Sequence, residues 1–205
     1  MSIDIEAVKR AMGLPKIEQC AIFENALLHP SYIYETNLPR QVQDLKEKEY
    51  RRLAHLGDAV IGAIVTDHLY SSYPDLNQGE LTEVKQCLVD KTQLAELADE
   101  LNLHQLCKLG KSQQGQTPET QVRLFAEMFE AVFGALYLEF DRDFARSRHW
   151  LVERIREIAA DLLEDEEDDE YDEAAFSHQV TTRQYLDMIG LYDFPDMWAP
   201  GDDDY

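Results

Sequence analysis

The sequence predicts an all-α protein: a bundle of about seven helices with an acidic C-terminal extension. Two long segments, about Glu47 to Tyr70 and Thr120 to Phe140, repeat apolar residues at the three- and four-residue spacing of a helix face. Strand signals are nearly absent. Turn clusters such as Tyr73-Pro74-Asp75-Leu76-Asn77-Gln78-Gly79 separate the helical segments.

In chain order, residues 4 to 13 form a short helix with Ile5, Val8 and Met12 along one side, stopped by Gly13-Leu14-Pro15. Residues 20 to 28 form a second, ending at His29-Pro30. Residues 33 to 45, polar and broken by Pro39, are expected as loop. The central helix follows, about 24 residues and so roughly 36 Å long. After the turn cluster one helix runs to about Val89 and another from about Lys91 to Glu100. Asn102-Leu103-His104 marks a break, and Ser112 to Pro118 a flexible loop. The second long helix is followed by a last one, Arg142 to Leu163, in which five arginines (142, 146, 148, 154 and 156) interleave with Phe144 and Leu151.

At 205 residues, 44% of them hydrophobic, the chain has material for one domain with a real core. It has neither a membrane-spanning stretch nor the basic-then-apolar start of a secretory signal. Cys20, Cys87 and Cys107 are odd in number and lack metal-ligand spacing, so they read as reduced thiols of a cytoplasmic protein. The net charge is −22. From Glu164 to Tyr205 there are 15 acids and one base, Arg183, giving −14; the other 163 residues carry −8. Nucleic-acid binders draw most of their affinity from phosphate contacts by basic groups, so any such binding here comes from a local basic strip or depends on a partner. The division expected is 1–163 as the helical domain and 164–205 as an acidic tail. Within that tail Tyr185 to Trp198 is rich in apolar groups, as a segment docking on the domain or on a protein partner would be.

Leu53-Ala54-His55-Leu56-Gly57-Asp58-Ala59-Val60-Ile61-Gly62 places an acid within the apolar pattern of the central helix. A buried carboxylate must be paired, coordinated or neutralised; the plainer alternative is an Asp on the helix's exposed edge. Gly57 weakens a helix by about 1 kcal/mol relative to Ala, which points to a second helix approaching closely. In Leu124-Phe125-Ala126-Glu127-Met128-Phe129-Glu130-Ala131-Val132-Phe133-Gly134, Glu127 and Glu130 share a face. Their like charges repel unless a cation or base lies between them. Facing helices that bear carboxylates are how helical proteins assemble metal sites.

Together these two stretches resemble the ribonuclease III family. Three further pieces agree in order and spacing: Ala26-Leu27-Leu28-His29-Pro30-Ser31-Tyr32, then Gly79-Glu80-Leu81-Thr82 with Leu88-Val89, then Leu109-Gly110-Lys111. The resemblance covers roughly residues 5 to 160. It implies a metal-dependent endonuclease of RNA processing, a hydrolase that cuts double-stranded or structured RNA to leave 5′-phosphomonoesters and works as a homodimer. It also implies Asp58, Glu127 and Glu130 as metal ligands, Asp58 and Glu130 as catalytic residues, and Mg²⁺ or Mn²⁺ as the ion. Pairing through the signature helices makes Leu53, Leu56, Phe129 and Phe133 interface candidates, with internal core as the equal alternative. His29 is expected as a structural residue held by a backbone partner.

Three positions depart from the family's pattern. A ligand Glu is replaced by Ala54, the Glu three residues before it by Arg51, and the acid preceding Gly79 by Gln78. Arg51, Ala54 and Asp58 share a helix face, so the site loses negative charge and gains a guanidinium, which binds carboxylates as a fork. His55, one helical step of about 100° away, does not replace the missing Glu. Two functions are therefore expected: a nuclease weakened at Ala54, or a non-catalytic RNA-binding or ribosome-assembly module of the same fold. No double-stranded RNA-binding domain is expected after residue 163. Lys85, Lys91, Lys108 and Lys111 are the candidate RNA contacts.

Overall fold

The computed structural model describes residues 3–113 and 116–168, with side chains as far as residue 156. Nine α-helices lie in this span: α1 (Ile5–Ala11), α2 (Cys20–Ala26), α3 (Pro30–Glu35), α4 (Arg40–Ser72), α5 (Gln78–Leu88), α6 (Lys91–Glu100), α7 (Leu103–Leu106), α8 (Pro118–Glu139) and α9 (Phe144–Asp168). Among the described residues there is no strand, only an isolated parallel bridge between Leu28 and Lys108. The expected all-α fold is present, with two helices more than expected.

Both extra helices lie where polarity or an Asn suggested a break. In α3, Pro30 occupies the first turn and His29 caps it, its Nδ1 accepting from the Ser31 N–H at 3.1 Å. His29 thus has the backbone partner expected of a structural residue. The segment expected as loop over 33–45 is mostly helix, because α4 begins at Arg40 with Pro39 just outside it. Pro needs no N–H there, and the Gln, Lys and Glu that follow are good helix formers despite their polarity. Arg40 pairs with Asp44 at 3.0 Å one turn on, and buried Gln43 donates from Nε2 to the Thr36 carbonyl at 2.9 Å. The result is a 33-residue helix, roughly 50 Å long. At the other break, Asn102 takes a left-handed conformation (φ 53°) and lets α7 start directly after α6.

Asp141 and Arg142 have φ of 53° and 61°, so the last helix starts at Phe144 rather than Arg142. It runs to Asp168, past the expected stop at Leu163. The rest of the acidic block and the Tyr185 to Trp198 cluster lie outside the described residues. No described helix is long and apolar enough to cross a membrane.

The core centres on α4 and α8. Phe129 and Phe133 stack at 6.3 Å, Phe133 meets Trp150 of α9 at 5.8 Å, and the Trp150 indole N–H donates to the Met12 carbonyl at 2.9 Å. Leu53, Phe129 and Phe133, three of the interface candidates, are therefore core residues, 8%, 1% and 0% exposed. An apolar stripe serves internal packing as well as pairing, and burying each such side chain contributes about 1.5–3 kcal/mol. Leu56 is half-buried, while His55, Ala59, Ala63 and Tyr70 are exposed, as are Arg51, Arg52, Asp58, Thr66 and Asp67 of the same helix. Gly57 and Gly134 allow the crossing of the two helices. A Cβ at Gly57 would run into the Glu130 carbonyl, and one at Gly134 into that of Leu53. The close approach expected at Gly57 is made by α8.

Candidate functional site

Because Gly57 lies against the backbone of Glu130, the next residue of α4, Asp58, comes alongside the acidic face of α8. Asp58 is exposed, on the helix edge, while Glu127 and Glu130 are half-buried. Burial pushes the Glu130 carboxyl up to about 7, helped by the negative charges of Asp58 and then Glu127 and opposed by Lys91. The three expected site residues therefore feel one another. Near neutral pH the strain of three like charges is relieved by Glu130 holding a proton part of the time.

The carboxylates are unequally engaged. Arg51 donates from Nη1 to Glu127 Oε1, and its Nε lies 3.7 Å from Glu47 Oε1 one turn back on α4. Asp58 and Glu130 make no ion pair among the described residues. Ala54 is 5% exposed and presents a methyl group where the family pattern has a carboxylate. Gln78 is exposed at the first position of α5, its carbonyl accepting from Thr82 Oγ1 at 2.7 Å. His55 is exposed, off the face of Arg51 and Asp58.

Two neighbours were not singled out in the sequence. Glu47 shares Arg51 with Glu127 and also accepts from the Tyr34 hydroxyl; its spacing of four from Arg51 was the available signal. Tyr50 is fully buried, its ring edge-on to His29 at 5.7 Å, and its hydroxyl has no hydrogen-bond partner among the described residues. Burial and the nearby Glu127 charge hold that hydroxyl protonated. Nothing in the sequence distinguishes Tyr50 from an ordinary core aromatic.

Of the expected RNA contacts, Lys85 lines an open groove of about 700 Å³ between α4 and α5, together with Asp58, Gly62, Thr66, Asp67 and Tyr70. Lys91 reaches Glu130 electrostatically. Lys108 is engaged through its backbone, with its N–H on the Leu27 carbonyl and its carbonyl accepting from the His29 N–H. The Lys111 N–H donates to Glu35 at 3.0 Å.

A divalent ion held by protein groups needs several oxygen ligands around one point. Among the described residues no three His, Cys, Asp or Glu side chains gather in this way. With Glu127 engaged by Arg51 and Ala54 supplying no oxygen, the residues present do not fit a metal held by protein carboxylates.

Residues 51–141 match the family model described as the ribonuclease III domain, a span that contains Arg51, Ala54, Gln78 and all three acids. Proteins named Ribonuclease 3 are similar over more of the chain. That of Streptomyces coelicolor is 34% identical over 146 residues, 70% of this chain and 50% of that protein. That of Enterococcus faecalis is 30% identical over 168 residues, 82% of this chain and 64% of that protein. The chain spans about half the length of several of the curated relatives it matches. Among solved structures, the nuclease domain of ribonuclease III from Campylobacter jejuni superposes with a TM-score of 0.60 at 21% identity, covering 75% of this chain and 97% of that one. That protein has a region involved in dimer formation. Dicer from Pichia stipitis gives a TM-score of 0.53 at 24% identity, over 71% of this chain and 58% of that one. These likenesses establish the fold.

Proposed function

This chain belongs to the ribonuclease III family, and from that premise we propose that it binds double-stranded or structured RNA as a homodimer without cleaving it at the rate a full carboxylate site supports. The observation that carries this reading is the ion pair between Arg51 and Glu127 beside the methyl of Ala54. A guanidinium is permanently charged and holds a carboxylate that a metal would otherwise need. The helical domain, 1–163, is the RNA-binding unit, and 164–205 is an acidic extension open to a protein partner. The pairing face is the exposed side of α4 with His55, Ala59, Ala63 and Tyr70. Three cysteines without metal-ligand spacing suit a cytoplasmic protein.

A second reading is favoured by one observation: Asp58 and Glu130 crowd each other with no ion pair to offset them. Mg²⁺ keeps several waters and binds through one or two carboxylates plus substrate phosphates, so a weak metal-dependent nuclease would use Asp58 and Glu130, with Glu127 withheld by Arg51. Incubating a labelled RNA duplex with the unmodified protein and with Arg51→Glu/Ala54→Glu, in Mg²⁺ and in Mn²⁺, separates the two. The unmodified protein leaves the duplex intact, and the double variant, if still folded by circular dichroism, gains cleavage. Rapid cleavage by the unmodified protein would make it a nuclease and end the first reading.

A further inference from the structure

The three departures from the family's pattern act in one electrostatic direction. Glu to Arg at Arg51 adds two positive charges, the loss of Glu at Ala54 adds one, and acid to Gln at Gln78 adds one, four in all and the charge of two divalent cations. The structure shows where half of that charge goes. The Arg51 guanidinium lies on Glu127 through Nη1, with Glu47 beside Nε, while Nη2 has no partner among the described residues and the side chain is 53% exposed. A guanidinium carries five N–H donors in a planar fork, so one edge can hold a carboxylate while another meets a second anion. Arg123, exposed and one turn before Glu127 on α8, adds positive charge on the same helix face.

We infer that Arg51 is a tethered cation doing the bridging that a metal would do: one edge of its guanidinium holds Glu127, and the free edge takes a non-bridging oxygen of an RNA phosphate. The site then anchors duplex RNA with no divalent ion, and no bond is made or broken. This inference rests on the RNA-binding reading above and gives it a residue and an ion requirement. It also accounts for the side chain remaining half exposed rather than closing over Glu127 as a buried structural pair would.

The test measures the affinity of the full chain for an RNA duplex across a salt series, in Mg²⁺ and in EDTA at matched ionic strength. The proteins compared are unmodified, Arg51→Ala and Arg51→Lys, each with its melting temperature checked. Unmodified protein binds equally well in Mg²⁺ and in EDTA. Arg51→Ala binds about tenfold or more weakly, as expected for losing a charge-assisted hydrogen bond, and its log K against log salt slope flattens by about 0.9 for the lost phosphate contact. Arg51→Lys keeps the slope but recovers only part of the affinity, because an ammonium lacks the fork. Binding by the unmodified protein that disappears in EDTA overturns the inference, since a metal is then the bridge. An unchanged slope in Arg51→Ala overturns it too, leaving Arg51 a structural ion pair while the RNA-binding reading stands. If the unmodified protein binds no duplex in either condition, both the reading and the inference are wrong.

Discussion

Gly57 and Gly62 lie five residues apart in the same helix, and the same substitution at each should move stability in opposite directions. In an exposed helix interior, Gly→Ala stabilises by about 0.5–1 kcal/mol, because Ala has less backbone freedom to lose on folding. At Gly62 an added Cβ would have Lys85 Nζ as its nearest neighbour, at 3.9 Å, an ordinary contact with the far end of a flexible side chain. Gly62→Ala should therefore show the full gain. At Gly57 the added atom would overlap the Glu130 carbonyl and also crowd the Glu130 carbonyl carbon and Gly134 N, at 2.7 and 3.0 Å. All three are backbone atoms of α8, so no rotamer change relieves the clash. The helices must separate by on the order of 1–2 Å, which forfeits a large part of the dispersion contacts along the crossing. Overpacking of this kind costs about 1–3 kcal/mol, occasionally more. The propensity gain offsets up to about 1 kcal/mol of that, so with the cost at the upper end of its range, as befits a backbone clash, the net loss should be about 2 kcal/mol. For a chain of this size that corresponds to a fall of about 4–8 °C in Tm, against a rise of about 1–4 °C for Gly62→Ala. Thermal unfolding followed by circular dichroism on both variants decides it. Equal stabilisation by the two would mean that α8 does not press on α4 at Gly57, and the placement of Asp58 beside Glu130 would lose its basis.

Burial, with Arg51 nearby, lowers the His29 pKa to about 4. The unfolded chain therefore binds the extra proton first. His29's contribution is fully present above pH 6.5 and is lost as pH falls from there toward 4, about 2 kcal/mol after allowance for partial exposure; a His29→Gln protein with the same acid limb of stability would contradict this. Removing the nearby charge in Arg51→Ala should raise the His29 pKa, read directly by NMR titration, and an unmoved value would place Arg51 elsewhere. Truncation after Leu163 removes a charge of −14 and should tighten RNA binding at low salt, with the gain shrinking as salt rises. No gain at low salt rules out repulsion by the tail. Pairing through the exposed side of α4 predicts a dimer by light scattering that Ala63→Arg weakens, whereas a strict monomer across a concentration series would refute it.

The periodicity of α4 and α8 was readable because each buries one stripe, and Gly57 signalled a close neighbour because little else justifies Gly in a helix interior. The first turns of α4 were not readable. Arg40, Gln43 and Asp44 form a helix through polar contacts that leave no apolar period, and buried Gln43 is held by a single hydrogen bond to the Thr36 carbonyl. For the site, the sequence supplied the three acids and the intruding Arg51. It could not say which acid the guanidinium would choose, since only the crossing of α4 and α8 places Glu127 in reach, and Glu47, one turn back on α4, was not singled out. Phe129 and Phe133 show the opposite failure. Their apolar character was plain, but hydrophobicity does not record whether the surface covered belongs to the same chain or to another copy.

The close approach at Gly57 and Gly134 is made by backbone against backbone, whereas the ion pair of Arg51 with Glu127 joins the same two helices through side chains. The close approach that brings Asp58 beside the acids of α8 is thus set by backbone rather than by the carboxylates themselves, and exposed side chains there can change without undoing it. A few codon changes at such positions could retune the site for another anion while the glycine crossing keeps its geometry. Preserved geometry beneath exchanged side chains is what makes such a fold a ready starting point for selection, in nature or in the laboratory.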